Sequence, residues 1–146
     1  MNKIEQRTYD MAVPIAEDLG YDVYWVQYVK EGSYWYLRVF INREDGVNVD
    51  DCEVISKQLS PLLDEQDYIS ENYFLEVSSP GIEREFFCDE HMEAAVGEKV
   101  RVNLFKGKAD GVFVRFDKDT LILSDPERVV DRKKVKSVRL KPDIVF

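Results

Sequence analysis

The feature that most constrains the fold is a break in texture at residues 74–86, whose sequence is FLEVSSPGIEREF. Within the first four residues, Leu75, Glu76 and Val77 alternate between apolar and polar, as in a half-buried strand. Ser78, Ser79, Pro80 and Gly81 are all residues that favour turns, and dense charge follows them. The chain before this break mixes helical and strand periodicity, whereas from residue 99 onward the chain has only the pattern of short strands. We therefore predict two small domains, residues 1–83 and 84–146, joined by a linker at about residues 81–90.

Two segments of the first domain have helical periodicity. The predicted buried face of the first helix, residues 2–19, consists of Ile4, Met11, Ile15 and Leu19. Pro14 lies within this pattern and predicts a kink or a restart of the helix, because proline removes a backbone donor. Asp50 and Glu53 have the spacing of a capping pair for a second helix that runs to about residue 63. The predicted buried stripe of that helix consists of Cys52, Ile55, Leu59 and Leu62, and Pro61 predicts an irregular last turn.

Three segments of the same domain predict strands. Residues 21–30 and 34–42 are rich in β-branched and aromatic residues and flank a turn at Gly32, which predicts a β-hairpin. In the second strand Leu37, Val39 and Ile41 point one way, and Tyr36, Arg38 and Phe40 point the other. A third strand is expected at residues 73–78. The order predicts an α-β-β-α-β sandwich with both helices on one face of a three-stranded sheet.

The second domain is expected to be all-β. Its predicted strands are residues 99–104, 111–116, 120–123, 127–130 and 135–140, with a helical turn before them at residues 91–96. Five short strands separated by tight turns predict a small SH3-like or Sm-like barrel. The predicted fold class of the whole chain is α+β.

The balance of acidic and basic residues changes at the predicted domain boundary, between residues 83 and 84. The 146 residues carry a net charge of −9, but residues 1–83 hold 6 Lys/Arg against 17 Asp/Glu and residues 84–146 hold 14 against 12. The acidic first domain should repel phosphate and attract a basic partner. Seven cations crowd one stretch of the second domain: Arg128, Arg132, Lys133, Lys134, Lys136, Arg139 and Lys141. This basic strip predicts either contact with RNA backbone or an ordinary solvated surface, and the pattern favours neither.

The residues do not favour catalysis. Ser78 and Ser79 follow a strand, but they lack the flanking glycines of a nucleophile elbow, and the only histidine, His91, lies in a charged segment. Turn formation explains these serines better. Cys52, on an apolar helix stripe, is interpreted as a core residue.

Metal, nucleotide and membrane binding are not indicated either. Aligning Gly46 with the glycine of a calcium-binding EF-hand loop puts only one oxygen ligand, Asp45, among four of the ligand positions. No GxxxxGK or GxGxxG motif occurs, so no cofactor or small-molecule substrate is predicted. No apolar run approaches the roughly 20 residues of a membrane span, and residues 1–7 do not resemble a signal peptide. Two cysteines without CxxC spacing are typical of a reduced cytoplasmic protein, and without a dimer signature we expect a monomer.

Several motifs resemble those of one family. Residues 75–81, LEVSSPG, are followed by Ile82, Glu83 and Arg84, and residues 37–52, LRVFINREDGVNVDDC, contain a second motif. Leu62-Leu63-Asp64 and Gly20-Tyr21 also fit. Together they resemble the RimP family of bacterial ribosome maturation factors. The sequence departs from the family pattern at Glu85, where proline is usual, at Asn42, where aspartate is usual, and in a shorter hairpin at residues 105–111.

The resemblance implies a function based on binding. It implies an α+β amino-terminal domain, an SH3-like barrel, and a non-enzymatic factor that binds the immature small ribosomal subunit and assists its late assembly. The expected partners are ribosomal RNA and a basic ribosomal protein that is incorporated near the decoding region. The alternative is an Sm-like RNA-binding module that acts on other RNAs.

The resemblance and the turn chemistry together predict an interdomain joint formed by Ser78, Ser79, Pro80, Gly81 and Arg84. Arg84 is expected to orient the domains by pairing with an acidic group of the first domain. An Arg84→Ala variant should then change the interdomain orientation measured in solution, and an unchanged orientation would refute this role.

Overall fold

The computed structural model describes residues 1–143 and 145, and the chain forms two compact units, Met1–Pro80 and Gly81–Phe146. Within the described residues, no helix combines the length and the apolar character needed to cross a membrane. The predicted division at residues 83 and 84 into two domains stays a prediction.

The first unit has the predicted order of elements. They are α1 (Lys3–Asp18), β1 (Asp22–Glu31), β2 (Tyr34–Asn42), α2 (Val49–Gln66) and β3 (Tyr73–Ser78). The sheet order is β1-β2-β3, with an antiparallel β1–β2 pair and a parallel β2–β3 pair. A parallel pair needs a crossover connection, and α2 supplies it. Side chains of both helices join the core on one face of this sheet, so the predicted α-β-β-α-β arrangement is confirmed.

The most buried face of α1 is formed by small residues. Thr8, Ala12 and Ala16 are fully buried, whereas the larger residues predicted for this face, Ile4, Met11, Ile15 and Leu19, pack around them and remain partly exposed. The Thr8 hydroxyl satisfies its hydrogen bonds with the Ile4 carbonyl and the Tyr68 hydroxyl, both at 2.8 Å. Small side chains let the helix backbone lie close to the sheet. The helix continues through Pro14 to Asp18, so the predicted alternative of a restart is wrong.

The cap of α2 differs from the prediction. Asn48 is the N-cap, and its side chain accepts a hydrogen bond of 2.7 Å from the Asp50 amide. Asp50 already lies in the first helical turn, where the positive end of the helix dipole stabilises its carboxylate. The predicted Asp50–Glu53 capping pair is therefore wrong. The buried stripe is Ile55, Leu59 and Leu63, spaced four residues apart. Leu62 is on the exposed side and Cys52 is half-buried, which corrects two positions of the predicted stripe.

The alternation predicted for β2 is confirmed. Leu37, Val39 and Ile41 are fully buried, and the intervening residues lie on the opposite face of the sheet. The helices cover the first of these faces.

The second unit is a five-stranded antiparallel sheet with one short helix. Its elements are α3 (Asp89–Ala94), β4 (Lys99–Leu104), β5 (Lys108–Phe116), β6 (Thr120–Ser124), β7 (Arg128–Asp131), a 3₁₀ turn (Arg132–Lys134) and β8 (Val135–Leu140). The sheet order is β7-β6-β5-β4-β8. The five predicted strands are confirmed, although β5 begins three residues earlier than expected.

The core of the second unit lies under β4, β5 and β6, where Val100, Phe113 and Leu123 are fully buried. Gly111 of β5 shows how closely β5 and β6 approach. A Cβ atom at this position would lie 2.7 Å from the Ser124 carbonyl oxygen, which is too close for any other residue type without movement of the backbone.

A cross-strand ion pair in this unit predicts a pH-dependent contribution to stability. Arg101 donates two hydrogen bonds, of 2.8 and 2.9 Å, to the Asp110 carboxylate, and these bonds lower the pKa of Asp110 although burial opposes the shift. Because the pKa is lowered by folding, the contribution is present above the unfolded pKa of about 3.9 and is lost as the pH falls through the folded value. Asp110→Asn should reduce the free energy of unfolding at pH 7 by about 1 kcal/mol.

Urea unfolding at pH 7 and at a series of more acidic values measures this difference. The gap between parent and variant should close in acid. Asp119→Asn is the control, because the exposed Asp119 side chain has no ion pair within the described part of the chain. A gap that persists in acid, or one that the control reproduces, would contradict the prediction.

Candidate functional site

The charged residues after Gly81 lie along the edge of β8. The Leu140 amide donates to the Arg84 carbonyl, and the Phe86 amide donates to the Val138 carbonyl, at 2.9 and 2.8 Å. Between them Glu85 and Arg139 form an antiparallel bridge. Residues 84–86 therefore pair with β8 on the side away from β4.

Side-chain contacts strengthen this pairing. Lys141 lies 2.5 Å from the Glu83 carboxylate, and Arg139 contacts both the Glu85 carboxylate at 3.2 Å and the Glu83 carbonyl at 3.1 Å. Burial raises the pKa of Glu85, and the charge of Arg139 opposes the shift. The departure from the family pattern at Glu85 thus places a carboxylate opposite a cation of the basic strip.

The predicted joint residues lie on both sides of the boundary between the compact units. Ser78 is the last residue of β3, and the boundary falls between Pro80 and Gly81. Gly81 has φ +83°, a left-handed conformation that glycine adopts without strain. The Arg84 backbone is held by β8, and the orienting role of its side chain stays a prediction.

Three residues of the basic strip make contacts within their own unit. They are Arg139 and Lys141, described above, and Arg132. The Arg132 guanidinium donates to the Asp117 carbonyl at 2.7 Å and lies 3.1 Å from the Asp89 carboxylate. These three cations fix loops and the edge of β8, so structural roles account for them.

The other four cations of the strip are exposed. Arg128, Lys133, Lys134 and Lys136 form no ion pair within the described residues. We call these four residues the exposed cations. Lys133 and Lys134 belong to the 3₁₀ turn, which is capped by the Asp131 side chain accepting from the Lys133 amide at 3.0 Å. The hydrogen-bonded backbone of this turn therefore holds Lys133 and Lys134 where their charges face solvent.

A cleft of about 380 Å³ in the second unit lies between residues 85–89 and β8. Its charged lining residues are of both signs: Glu85, Asp89, Arg132 and Lys136. His91 is close by, and its Nδ1 accepts a hydrogen bond of 3.0 Å from the Phe87 amide. This bond gives the imidazole a structural role at the start of α3.

Strand alternation placed Tyr36 on the face of β2 opposite the core, but sequence reasoning did not identify the aromatic surface that this face of the first unit carries. On the sheet face opposite the helices, the Phe74 ring contacts Tyr34 and Tyr36, with ring centroids 5.5 and 5.8 Å apart. Tyr34 and Phe74 are 58% and 54% exposed. We call these three residues the aromatic face. Arg38 lies over the Tyr36 ring at 4.8 Å and is bound by carboxylates on both sides, Glu31 and Glu76, each at 2.8 Å.

The parity of the strands is the signal that could have found this surface. Tyr34 and Tyr36 share the parity of Arg38 in β2, and Phe74 shares that of Glu76 in β3. Aromatic residues on the same side as charged ones are expected to be accessible to solvent.

Residues 11–83 match the family model described as the RimP N-terminal domain. The match covers half of the chain, from the middle of α1 to Glu83, the residue before Arg84 of the predicted joint.

The contrast between held and exposed cations predicts different effects on stability. Arg132→Gln removes the bond to the Asp117 carbonyl and should lower the free energy of unfolding by about 1 kcal/mol. Lys133→Gln should change it by less than about 0.5 kcal/mol, because its side chain is exposed. Urea unfolding of the two variants tests this, and equal effects would show that Arg132 has no special structural role.

Proposed function

Since the chain belongs to the RimP family of ribosome maturation factors, we propose that it binds the immature small ribosomal subunit and assists its late assembly without catalysing a reaction. The match of residues 11–83 to the family model is the observation that carries this proposal. In this proposal the protein acts in the cytoplasm as a monomer and helps to incorporate a basic ribosomal protein near the decoding region.

The charge of the first unit supports a basic protein partner. Residues 1–80 contain 6 Lys/Arg and 16 Asp/Glu, a net charge of −10. Such a surface accelerates encounter with a cationic protein and disfavours indiscriminate binding to RNA. The partner of this unit would thus be protein rather than nucleic acid.

The exposed cations support a contact between the second unit and ribosomal RNA. Each lysine or arginine that neutralises a phosphate releases counterions, so the contact should weaken as salt increases. We further propose that the five-stranded sheet closes into a small SH3-like barrel. The order of strands supports this, since β7 and β8 are the two ends of the sheet and only the three-residue 3₁₀ turn separates them along the chain.

Co-sedimentation of the full-length protein with small subunits, large subunits and joined ribosomes tests the proposed function. Binding restricted to free small subunits is the expected result. Equal binding to all three particles would refute it. Tight binding to short free RNA, with no preference for small subunits, would favour the Sm-like alternative.

Two matched double variants test the RNA contact. Lys133→Gln/Lys134→Gln should weaken binding to small subunits and reduce the slope of log affinity against log salt by about 2. Lys106→Gln/Lys118→Gln removes the same charge from exposed positions outside the basic strip and should have a smaller effect. Equal losses would mean that net charge alone governs binding.

A further inference from the structure

The strand β3 forms an open edge of the first unit. It pairs with β2 on one side, and within the described residues no backbone hydrogen bond joins it to any other segment. An edge strand presents a row of amide and carbonyl groups that can pair with another extended chain. The other edge, β1, is interrupted by a bulge between Val23 and Trp25, which makes it a poorer template.

A cleft of about 760 Å³ runs along this edge. It is lined by Leu75 and Val77, which face the helices, and also by Glu76 and Ser78, which face the other way. Because successive side chains of a strand point to opposite faces, a cleft that contacts both sets must follow the edge itself. The space beside β3 is therefore accessible from both faces of the sheet.

The two sides of the cleft differ in chemistry. On the helix side, Leu75 and Val77 are joined by Cys52 and by Val49, which is 82% exposed. Ser56 and the ion pair of Glu53 with Lys57 also line this side, on α2. The apolar residues next to the strand suit apolar side chains of a bound segment.

The opposite side is suited to cations. On this side the cleft is lined by Glu76 and Ser78 of β3 and by Arg38 and Phe40 of β2. Phe74 lies outside the cleft lining but projects from β3 on the same face of the sheet, next to the rest of the aromatic face. Arg38 is an example of how this face binds a cation, since its guanidinium lies over the Tyr36 ring and pairs with the carboxylates of Glu31 and Glu76. The exposed rings of Tyr34 and Phe74 offer the same kind of contact to a further cation.

We propose that the edge of β3 binds an extended, basic peptide segment of a partner protein as an added strand. Alternate residues of the segment are apolar and pack against Leu75, Val77 and Val49, and the intervening residues are cationic and contact Phe74 and Glu76. The net charge of −10 of residues 1–80 favours such a segment over nucleic acid. This inference deepens the proposed function, because it gives the surface by which the first unit holds a basic protein.

The test uses the full-length protein and the synthetic peptide acetyl-RVRVRVR-amide. Backbone amide NMR shifts followed during titration should change most at residues 73–78. Shifts concentrated elsewhere, or no binding at millimolar peptide, would overturn the proposal. Larger shifts at residues 73–78 with a single-stranded oligouridine than with the peptide would overturn it in favour of RNA.

Two methylated peptides separate strand addition from simple charge attraction. In an added strand, the amides of alternate residues face the edge, so either the valine amides or the arginine amides donate to β3. N-methylation of one set should weaken binding by about tenfold, and N-methylation of the other should leave it nearly unchanged. Equal affinity of both methylated peptides and the parent would overturn the proposal, and so would equal losses.

A pair of phenylalanine variants locates the contact on the protein. Phe74→Ala should weaken peptide binding about fivefold, whereas Phe105→Ala, which truncates another exposed phenylalanine in the second unit, should not. Equal effects would argue against the edge of β3. The titration contains no ribosome, so its failure would leave the proposed function standing, and loss of co-sedimentation would leave the edge of β3 untouched.

Discussion

Two helices cover one face of the three-stranded sheet in the first unit, and the surfaces of this unit follow from that one-sided packing. Ala12 and Ala16 of α1 lie against the sheet together with Ile55 and Leu59 of α2, and all four are fully buried. The closeness of this contact depends on the small side chains of α1. Both helices are occupied by this packing, so neither of them covers the aromatic face or the edge of β3.

The basic residues of the strip in the second unit fall into two groups, those that stabilise the fold and those that are exposed to solvent. Arg132, Arg139 and Lys141 are tied to carbonyl or carboxylate oxygens and hold loops and the edge of β8. The exposed cations come from the same short stretch of sequence but form no such contact within the described residues. A count of basic residues in the sequence therefore overestimates the charge that is available to a partner. The division into held and exposed cations depends on which acids the fold brings near.

Local patterns in the sequence predicted the elements well. The bounds of β2, β3, β4 and β8 agree with the prediction, because alternation of side chains is a property of adjacent residues. The predicted N-cap of α2 was wrong, because Asn48 and Asp50 are both good capping residues and only the path of the preceding loop decides between them. The face of α1 was misjudged because hydrophobic periodicity gives little weight to alanine. The pairs of Glu83 with Lys141 and of Glu85 with Arg139 join residues more than 50 positions apart, and no local pattern reveals them.

The same limits apply to the candidate surfaces. The sign and the position of the charge can be read from the sequence. They suffice to predict a basic partner for residues 1–83, but for the basic strip they left phosphate contact and an ordinary solvated surface equally open. The sequence did not reveal that β3 is an edge strand, because the order of strands in a sheet is set by long-range pairing. Long-range attraction alone selects any cation, whereas an edge strand also requires an extended backbone and alternating side chains. The combination would let an acidic protein distinguish one basic segment from the many that a ribosome presents, without a catalytic step.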